Sequence, residues 1–303
     1  MSRIRLHSCL AAGAIIAGSL LSSLAAHAED GVLRVGGSTT LAPAVTNAAI
    51  AFMDRFKSWE EAGPSLPKAQ PIVYVTGGGS GFGIKSVIAG VVDIGLASRD
   101  LKSGEKDALG EHQEYVVGKD AVAIAARADN PLAKSRRNLT SEQARNIFSG
   151  EYKTYRDIDS RLPAQEIVLL VRDAGAGSAE ILQDKIMGKT QVSPGALQMP
   201  SQGALLKKLE SNRNAIAYIS AGLAGESKQL AAFSLDGVEP SHDNVVGGAY
   251  KLARPLLMIV KGATPALTAK RFVDYVLEQG QETIAAQGYV PVRQAAASAP
   301  LPR

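Results

Sequence analysis

Three times along the chain an apolar strand pattern runs into a turn of glycine and hydroxyl residues and then into a helix pattern. The three turns lie within residues 34–40, 77–81 and 172–178. Alternation of strand and helix patterns is typical of an α/β protein with largely parallel sheets. Each turn presents free backbone N–H groups and a hydroxyl at a helix start, where the helix dipole favours an anion. Together, and with an arginine in one of them, the turns predict a site for a small oxyanion.

The N-terminus has the pattern of a secretory signal peptide. Arg3 and Arg5 precede an apolar run over residues 10–26, and Ala26-His27-Ala28 fits a small-x-small cleavage site. A transmembrane anchor is the alternative, but the run is short and rich in Ala, Gly and Ser. Cleavage after Ala28 would remove Cys9, the only cysteine. We therefore expect a periplasmic or otherwise exported chain without disulfides, a thiol nucleophile or a thiolate metal site.

Composition and motifs exclude several classes of function. The chain has 33 basic and 29 acidic residues, and no basic stripe with interleaved aromatics, so we expect no nucleic-acid partner. Aromatic residues make up only 5%, which argues against a sugar site built on stacked rings. His112 and His242 lie in no serine or metal motif, and there is no Gly-x-Ser-x-Gly or His-Glu-x-x-His. We expect no catalytic residue, no metal and no cofactor, and so not an enzyme.

The order of patterns predicts two domains. Two long extended patterns, at 115–126 and 249–260, suit a chain that crosses between two domains and later returns. We predict two α/β domains joined by a two-segment hinge. The predicted bounds are a signal peptide at 1–28, a discontinuous domain I at 29–118 and 250–303, and domain II at 119–249.

The first two turns supply hydroxyl candidates for the site. Ser38, Thr39 and Thr40 follow two glycines; each alone could be a helix N-cap, but three consecutive hydroxyls favour anion binding. The segment 77–83 holds five glycines and Ser80, and glycine lets a backbone approach a ligand closely. The segment lacks the Gly-Lys-Ser/Thr ending of a P-loop and has no good Gly-x-Gly-x-x-Gly fingerprint, so a nucleotide ligand is disfavoured.

The third turn supplies the most specific candidate, Arg172, which ends an apolar strand pattern. Its planar fork can bind a tetrahedral anion. The candidates that follow it are Gly175, Gly177 and Ser178. The alternative is an ion pair of Arg172 with Asp173 or Glu180.

A further strand pattern, residues 91–97, ends at Ser98-Arg99-Asp100, at the same sheet edge. We include Ser98 and Arg99 among the candidate anion contacts. The alternative for Arg99 and Asp100 is a solvated turn. Asp93, inside the apolar strand pattern, is interpreted as structural.

These motifs resemble those of the PstS-like phosphate-binding proteins of bacterial ABC importers, which are periplasmic binding proteins with the type II two-domain fold. The resemblance spans about residues 32–292. Its motifs are the segments 37–43, 79–84, 93–99, 139–143, 147–150, 172–178, 215–220 and 250–256.

The resemblance implies a monomeric protein that captures inorganic phosphate between its domains and delivers it to the membrane permease of an ABC importer. The phosphate would be held by hydrogen bonds. The residues that match the family's contacts are Thr39, Thr40, Ser80, Arg172, Gly177 and Ser178.

Two positions depart from the family. Ala176 stands where a serine is usual, and Arg99 where the family often has an aspartate that accepts the proton of hydrogen phosphate. Such an acceptor rejects sulfate, which offers no proton. Without it, Arg99 would attract any dianion, and Asp100 or Asp120 could supply the acceptor.

Three other functions stay open. One is binding of another tetrahedral oxyanion, such as sulfate, molybdate or tungstate. Another is an exported phosphate-ester hydrolase that uses Ser80 or Ser38 as nucleophile. The last is a role in surface adhesion, for which no residue argues.

Overall fold

The computed structural model describes residues 31–293. The predicted signal peptide, with its cleavage site after Ala28, lies outside the described residues. Within the described part of the chain, no helix is both long and apolar enough to cross a membrane.

The strands are β1 (Val32–Gly37), β2 (Ile72–Thr76), β3 (Ile94–Ala97), β4 (His112–Arg127), β5 (Asn138–Leu139), β6 (Val168–Arg172), β7 (Leu197–Met199), β8 (Ala215–Ser220), β9 (Leu230–Leu235), β10 (Ala253–Lys261) and β11 (Val290–Pro291). The α-helices are α1 (Ala42–Arg55), α2 (Trp59–Ala62), α3 (Ser80–Ile88), α4 (Ser103–Leu109), α5 (Pro131–Ser135), α6 (Ser141–Ser149), α7 (Tyr155–Ile158), α8 (Gly177–Leu182), α9 (Gln202–Ser211), α10 (Ala221–Glu226), α11 (His242–Val246), α12 (Leu267–Leu277) and α13 (Gln281–Ala285). A π-helix at Gln183–Met187 continues α8.

The strands form two lobes that share β4. In the first lobe β1 lies between β2 and β3, parallel to both, and β10 is antiparallel to β3. In the second lobe β6 lies between β7 and β8, parallel to both. The N-terminal part of β4 pairs with β10 and its C-terminal part pairs with β8 and β9. The predicted class, two α/β domains linked by two crossing segments, is confirmed.

The predicted domain boundaries stay a prediction. The boundary at residues 118 and 119 falls inside β4, beside a register shift against β10 between Leu256 and Leu257. β4 continues through the glycine at 118, because the bulge absorbs the irregularity.

Each lobe has its own apolar core. In the first lobe Phe52 packs against Trp59 and Phe272, with ring centroids 5.2 and 5.6 Å apart. In the second lobe the rings of Phe148 and Tyr218 lie 5.4 Å apart. Because the carboxyl ends of β1, β3 and β6 all point to the space between the lobes, the turns that follow these strands meet there.

One strand begins later than the sequence pattern predicts, and one helix begins earlier. The third strand pattern starts at Ile94 instead of residue 91, because Asp93 turns its carboxylate back to accept the N–H of Arg34 at 2.7 Å. This agrees with the structural role expected for Asp93. The sequence pattern over residues 179–187 predicts a helix, and in the structure this helix begins earlier, at Gly177, so its first turn reaches the space between the lobes.

Candidate functional site

A small cavity lies where the turns of the two lobes meet. The empty space among its lining atoms is about 130 Å³, part of it open to solvent, which is small beside the roughly 1060 Å³ of empty space in the neighbouring pocket lined by Lys102, Glu180 and Gln198. Its lining residues are Ser38, Thr39, Thr40, Gly79, Ser80, Ser98, Arg172, Ala176, Gly177 and Ser178. The cavity therefore suits a ligand of a few heavy atoms that can accept hydrogen bonds from hydroxyls and from one guanidinium.

The first turn follows β1 directly. The N–H of Ser38 donates to the carbonyl of Leu96 at 2.9 Å, which ties the turn to the end of β3. The Oγ of Ser38 accepts the N–H groups of Thr40 and Leu41 at 3.2 and 3.3 Å. Ser38 therefore caps the turn that precedes α1, whose own N-cap residue Leu41 has no side-chain cap, while Thr39 and Thr40 use their hydroxyls elsewhere.

The second turn brings Ser80 against the end of β3. Gly78 and Gly79 have φ of 138° and 90°, in a region that favours glycine. This backbone places Ser80 as the first residue of α3, where its Oγ accepts the N–H of Ser98 at 3.0 Å. The two serine Oγ atoms lie 3.3 Å apart. Both side chains are buried.

Arg172 reaches the cavity from the second lobe, and its side chain is only 1% exposed. Its Nε donates to the carbonyl of Met199 at 2.8 Å, and its Nη2 to that of Pro200 at 3.2 Å. Nη2 also pairs with Asp173 at 3.0 Å, and Nη1 donates to Thr39 Oγ1 at 2.8 Å. The predicted ion pair with Asp173 is present, and four of the five N–H groups of Arg172 donate within the protein, so one N–H of Nη1 is left for a ligand instead of the predicted fork. The contact to Thr39 crosses between the lobes.

The structure corrects the placement of Arg99. Its guanidinium does not line the cavity but donates to both carboxylate oxygens of Glu105, at 2.7 and 2.8 Å, and to the carbonyl of Asp100. Its Nε lies 2.9 Å from Glu180, which also pairs with Lys102. The expected contact between Arg99 and the anion is thus replaced by an ion-pair cluster, in which Glu180 of the second lobe meets Arg99 and Lys102 of the first.

The placement of Gly175 is corrected as well. Gly175 is not a lining residue; its carbonyl accepts the N–H of Gly81 at 3.0 Å, which joins the two lobes through their backbones. Gly177 does line the cavity, and it packs so closely on the first lobe that a Cβ there would lie 2.6 Å from the Oγ atoms of Ser80 and Ser98.

Four buried residues support the lining hydroxyls and Arg172. Arg254, Gln202 and Tyr218 were not predicted as site residues, and Asp120 was considered only as an acceptor of the ligand proton. Arg254 donates to Thr40 Oγ1 and to Ser98 Oγ, both at 3.2 Å, and pairs with Asp120. Arg254 lies within one of the resemblance motifs, which was its only signal. The other two are Gln202, which donates to Ser178 Oγ at 3.0 Å, and Tyr218, whose hydroxyl accepts the N–H of Arg172 at 2.8 Å.

Comparison with known proteins assigns the fold. A family model described as the PBP superfamily domain matches residues 24–279. The chain belongs to the PBP superfamily. This PBP superfamily member is 25% identical over 268 residues to the phosphate-binding protein PstS of Staphylococcus haemolyticus, covering 84% of this chain and 79% of the relative. The predicted resemblance to PstS-like proteins is confirmed.

Two solved structures resemble this PBP superfamily chain closely. One is a Clostridium perfringens protein with bound phosphate, with a TM-score of 0.73, 27% identity, and coverage of 86% of this chain and 100% of that one. The other is an ABC-type phosphate transport receptor from Vibrio cholerae, with a TM-score of 0.66, 25% identity, and coverage of 85% and 99%.

The charged groups around the cavity are held by ion pairs and hydrogen bonds. Burial lowers the pKa of Arg99, but its hydrogen bond to Glu105 and the charge of Glu180 outweigh burial and raise it. Burial raises the pKa of Tyr218 to about 12, so its hydroxyl stays protonated where it contacts Arg172. Over the described part of the chain, no group of three or more His, Cys, Asp or Glu side chains is placed to hold a metal ion.

Proposed function

We propose that this protein is an exported solute-binding protein that captures inorganic phosphate between its lobes and delivers it to the permease of an ABC importer. The observation that carries the proposal is the small cavity, to which both lobes contribute hydrogen-bond donors. Phosphate binding in the relatives named above supports the ligand. The signal-peptide pattern supports export, with cleavage after Ala28.

The chemistry of the cavity suits a small tetrahedral anion. A buried guanidinium supplies the positive charge, and charge-assisted hydrogen bonds to an oxyanion are roughly twice as strong as neutral ones. The hydroxyls supply further donors without adding charge. The small volume excludes a nucleotide or a sugar phosphate, which leaves an inorganic oxyanion.

Contacts across the lobes indicate how capture works. Arg172 donates to Thr39 at 2.8 Å, and the N–H of Gly81 donates to the carbonyl of Gly175 at 3.0 Å. Because these contacts enclose the cavity, the ligand enters and leaves only when the lobes separate, which is the hinge motion of a binding protein. We propose that the protein works as a monomer that docks on the permease.

Hydrolysis of a phosphate ester has less support. A serine nucleophile needs a base within hydrogen-bond reach, but Ser80 Oγ contacts only Ser98 among side chains. The two histidines of the described part lie elsewhere, His112 beside Glu114 and His242 beside Asp243. We therefore propose binding without turnover.

Isothermal titration of ligand-stripped protein with phosphate tests the proposal. Arg172→Ala should weaken phosphate binding by at least about tenfold, since hydrogen bonds to charged groups contribute about 1.5–3 kcal/mol. Arg161→Ala is the control, because Arg161 is 81% exposed and lies outside the cavity. Failure of the wild-type protein to bind phosphate, or an unchanged affinity in Arg172→Ala, would refute the proposal. Turnover of p-nitrophenyl phosphate that Ser80→Ala abolishes would favour the hydrolase instead.

A further inference from the structure

A buried ion pair between Asp120 and Arg254 lies directly behind the cavity. The Oδ2 of Asp120 accepts Nη2 and Nε of Arg254 at 2.7 and 3.2 Å, and the two side chains are 1% and 0% exposed. The Oδ1 of Asp120 accepts the hydroxyl of Ser220 at 3.0 Å and the N–H of Gly222 at 3.3 Å. A carboxylate has about four lone-pair sites, so Asp120 has no free one to accept a proton from a ligand.

The other side of Arg254 faces the lining hydroxyls. Its Nη1 donates to Ser98 Oγ and its Nη2 to Thr40 Oγ1, both at 3.2 Å. A guanidinium has donors only, so the direction of these two hydrogen bonds is unambiguous. A hydroxyl carries a single proton. Since Thr40 and Ser98 accept from Arg254, neither uses its own proton on Arg254. Thr40 keeps its proton for a partner inside the cavity, and of the two protons on Ser80 and Ser98, whose Oγ atoms lie 3.3 Å apart, one is used between the two hydroxyls and the other is left for the cavity.

The same rule holds for the other lining hydroxyls. Each oxygen accepts an N–H from the protein: Ser38 from the amides of Thr40 and Leu41, Thr39 from Arg172, Ser80 from the amide of Ser98, and Ser178 from Gln202. The amide of Gln202 is itself oriented, because its Oε1 accepts the N–H of Ser220 at 3.2 Å. All six lining hydroxyls thus accept from fixed nitrogen donors.

We propose that Arg254, held by Asp120, is a positioning residue that makes Thr40 and Ser98 hydrogen-bond donors, in a cavity that offers its ligand donors only. No lining residue in the described part of the chain is a carboxylate. A hydroxyl that accepted a proton from the ligand would have to turn its own proton away from the anion, and the anion would lose one donor. The cavity therefore recognises a tetrahedral anion by its accepting oxygens and its charge, and it discriminates weakly between phosphate and sulfate.

This proposal rests on the proposed function. The ratio of phosphate to sulfate affinity tests it separately from phosphate binding itself. A site built to accept a ligand proton rejects an analogue without it by roughly 10⁴–10⁵. We expect sulfate to compete with phosphate in titrations of the wild-type protein, with affinities within about a hundredfold of each other. Phosphate affinity should rise from the acid to the alkaline side of the second ionisation of phosphate, while sulfate affinity stays level. Sulfate rejected by about 10⁴ or more, or phosphate affinity that falls on the alkaline side, would overturn the proposal.

Variants of the ion pair test the role of Arg254. Arg254→Lys keeps the charge beside Asp120 but loses the fork that reaches both hydroxyls. The double variant Asp120→Asn with Arg254→Gln removes both charges together, so it leaves no unpaired buried ion. In both, we expect phosphate and sulfate affinities to fall by about tenfold or more. Sulfate should lose more, because a freed Thr40 or Ser98 hydroxyl can turn to accept the proton of hydrogen phosphate.

A merely structural role would predict something different. It would lower the melting temperature and scale both affinities alike, without changing the ratio of phosphate to sulfate affinity. The matched control is Lys270→Gln with Asp274→Asn, which removes an exposed ion pair on α12 and should leave both affinities unchanged. A constant ratio in the Arg254 variants would refute the positioning role.

If those variants do not fold, the sulfate competition and the pH profile of the wild-type protein still decide the proposal. If the wild-type protein binds sulfate but no phosphate, the proposed function fails and the donor-only cavity stands; if it binds neither, both fail.

Discussion

Adding one methyl group at Gly177 should separate phosphate binding from folding. Gly177 begins α8 on the second lobe, and a Cβ there would lie 2.6 Å from both Ser80 Oγ and Ser98 Oγ and 2.9 Å from the Ser98 carbonyl oxygen of the first lobe. Real Cβ contacts are essentially never that short, so the lobes of Gly177→Ala would have to stand further apart. The contact between Arg172 and Thr39 would lengthen with them.

The size of the effect follows from the clash. Overpacking by one methyl costs about 1–3 kcal/mol, which at about 1.4 kcal/mol per factor of ten weakens phosphate binding roughly 5- to 150-fold. The open protein does not carry this cost, because Gly177 meets Ser80 and Ser98 only when the lobes are together. Alanine is also the better helix former, by up to about 1 kcal/mol. The melting temperature without phosphate should therefore stay level or rise while affinity falls.

Titration calorimetry and thermal unfolding of the ligand-stripped protein measure the two quantities. Gly225→Ala in α10 is the matched control, because a Cβ at Gly225 meets no atom within 4 Å, and its phosphate affinity should match that of the wild type. Wild-type affinity in Gly177→Ala would refute the reasoning, since it would show that phosphate does not bind in the cavity that Gly177 closes.

Two further predictions concern the ion-pair cluster beside the cavity. Glu180→Gln removes the ion pairs of Glu180 with Arg99 and Lys102 across the lobes. If these ion pairs stabilise the closed protein by about 1 kcal/mol, the variant should release phosphate about fivefold faster in stopped-flow measurements. Glu142→Gln on the exposed face of α6 should release phosphate at the wild-type rate, and equal rates in the two variants would contradict the role of Glu180. For Glu105, burial raises the pKa, but the hydrogen bond from Arg99 outweighs burial and holds the pKa below its ordinary value of 4.5. The Glu105 carboxylate therefore stabilises the fold above pH 4.5, and this stabilisation is lost as the pH falls through the lower folded-state pKa. Below pH 4.5 the melting temperature of the wild type should fall more steeply than that of Glu105→Gln. Parallel melting curves would contradict a lowered pKa of Glu105.

Local pattern predicted the parts of the fold and site that depend on neighbouring residues. The apolar spacing of residues 267–277 predicts an amphipathic helix, and helix α12 has these bounds, because the spacing is a property of the segment itself. The turns at Ser38 and Ser80 were predicted from glycine and hydroxyl residues within a few positions of each other. Arg172 was predicted because it ends a strand pattern, and the end of a strand fixes the position of the backbone from which the side chain extends.

Contacts between distant residues decided what the pattern left open. Arg99 also ends a strand, yet its direction is set by Glu180, which lies 81 residues further along the chain and on the other lobe. The contact between Arg254 and Thr40 spans 214 residues. Gln202 gave no signal, because a single glutamine near a helix start has no pattern that distinguishes a buried role from an exposed one.

A crystal structure of the protein grown with phosphate tests the central claim most directly, through the position of the anion in electron density. We predict a tetrahedral anion in the cavity between the lobes, within hydrogen-bond distance of the hydroxyls of Thr40, Ser98 and Ser178 and of the Arg172 guanidinium. An anion beside Arg99 instead, or a cavity that holds no phosphate at saturating concentration, would contradict it.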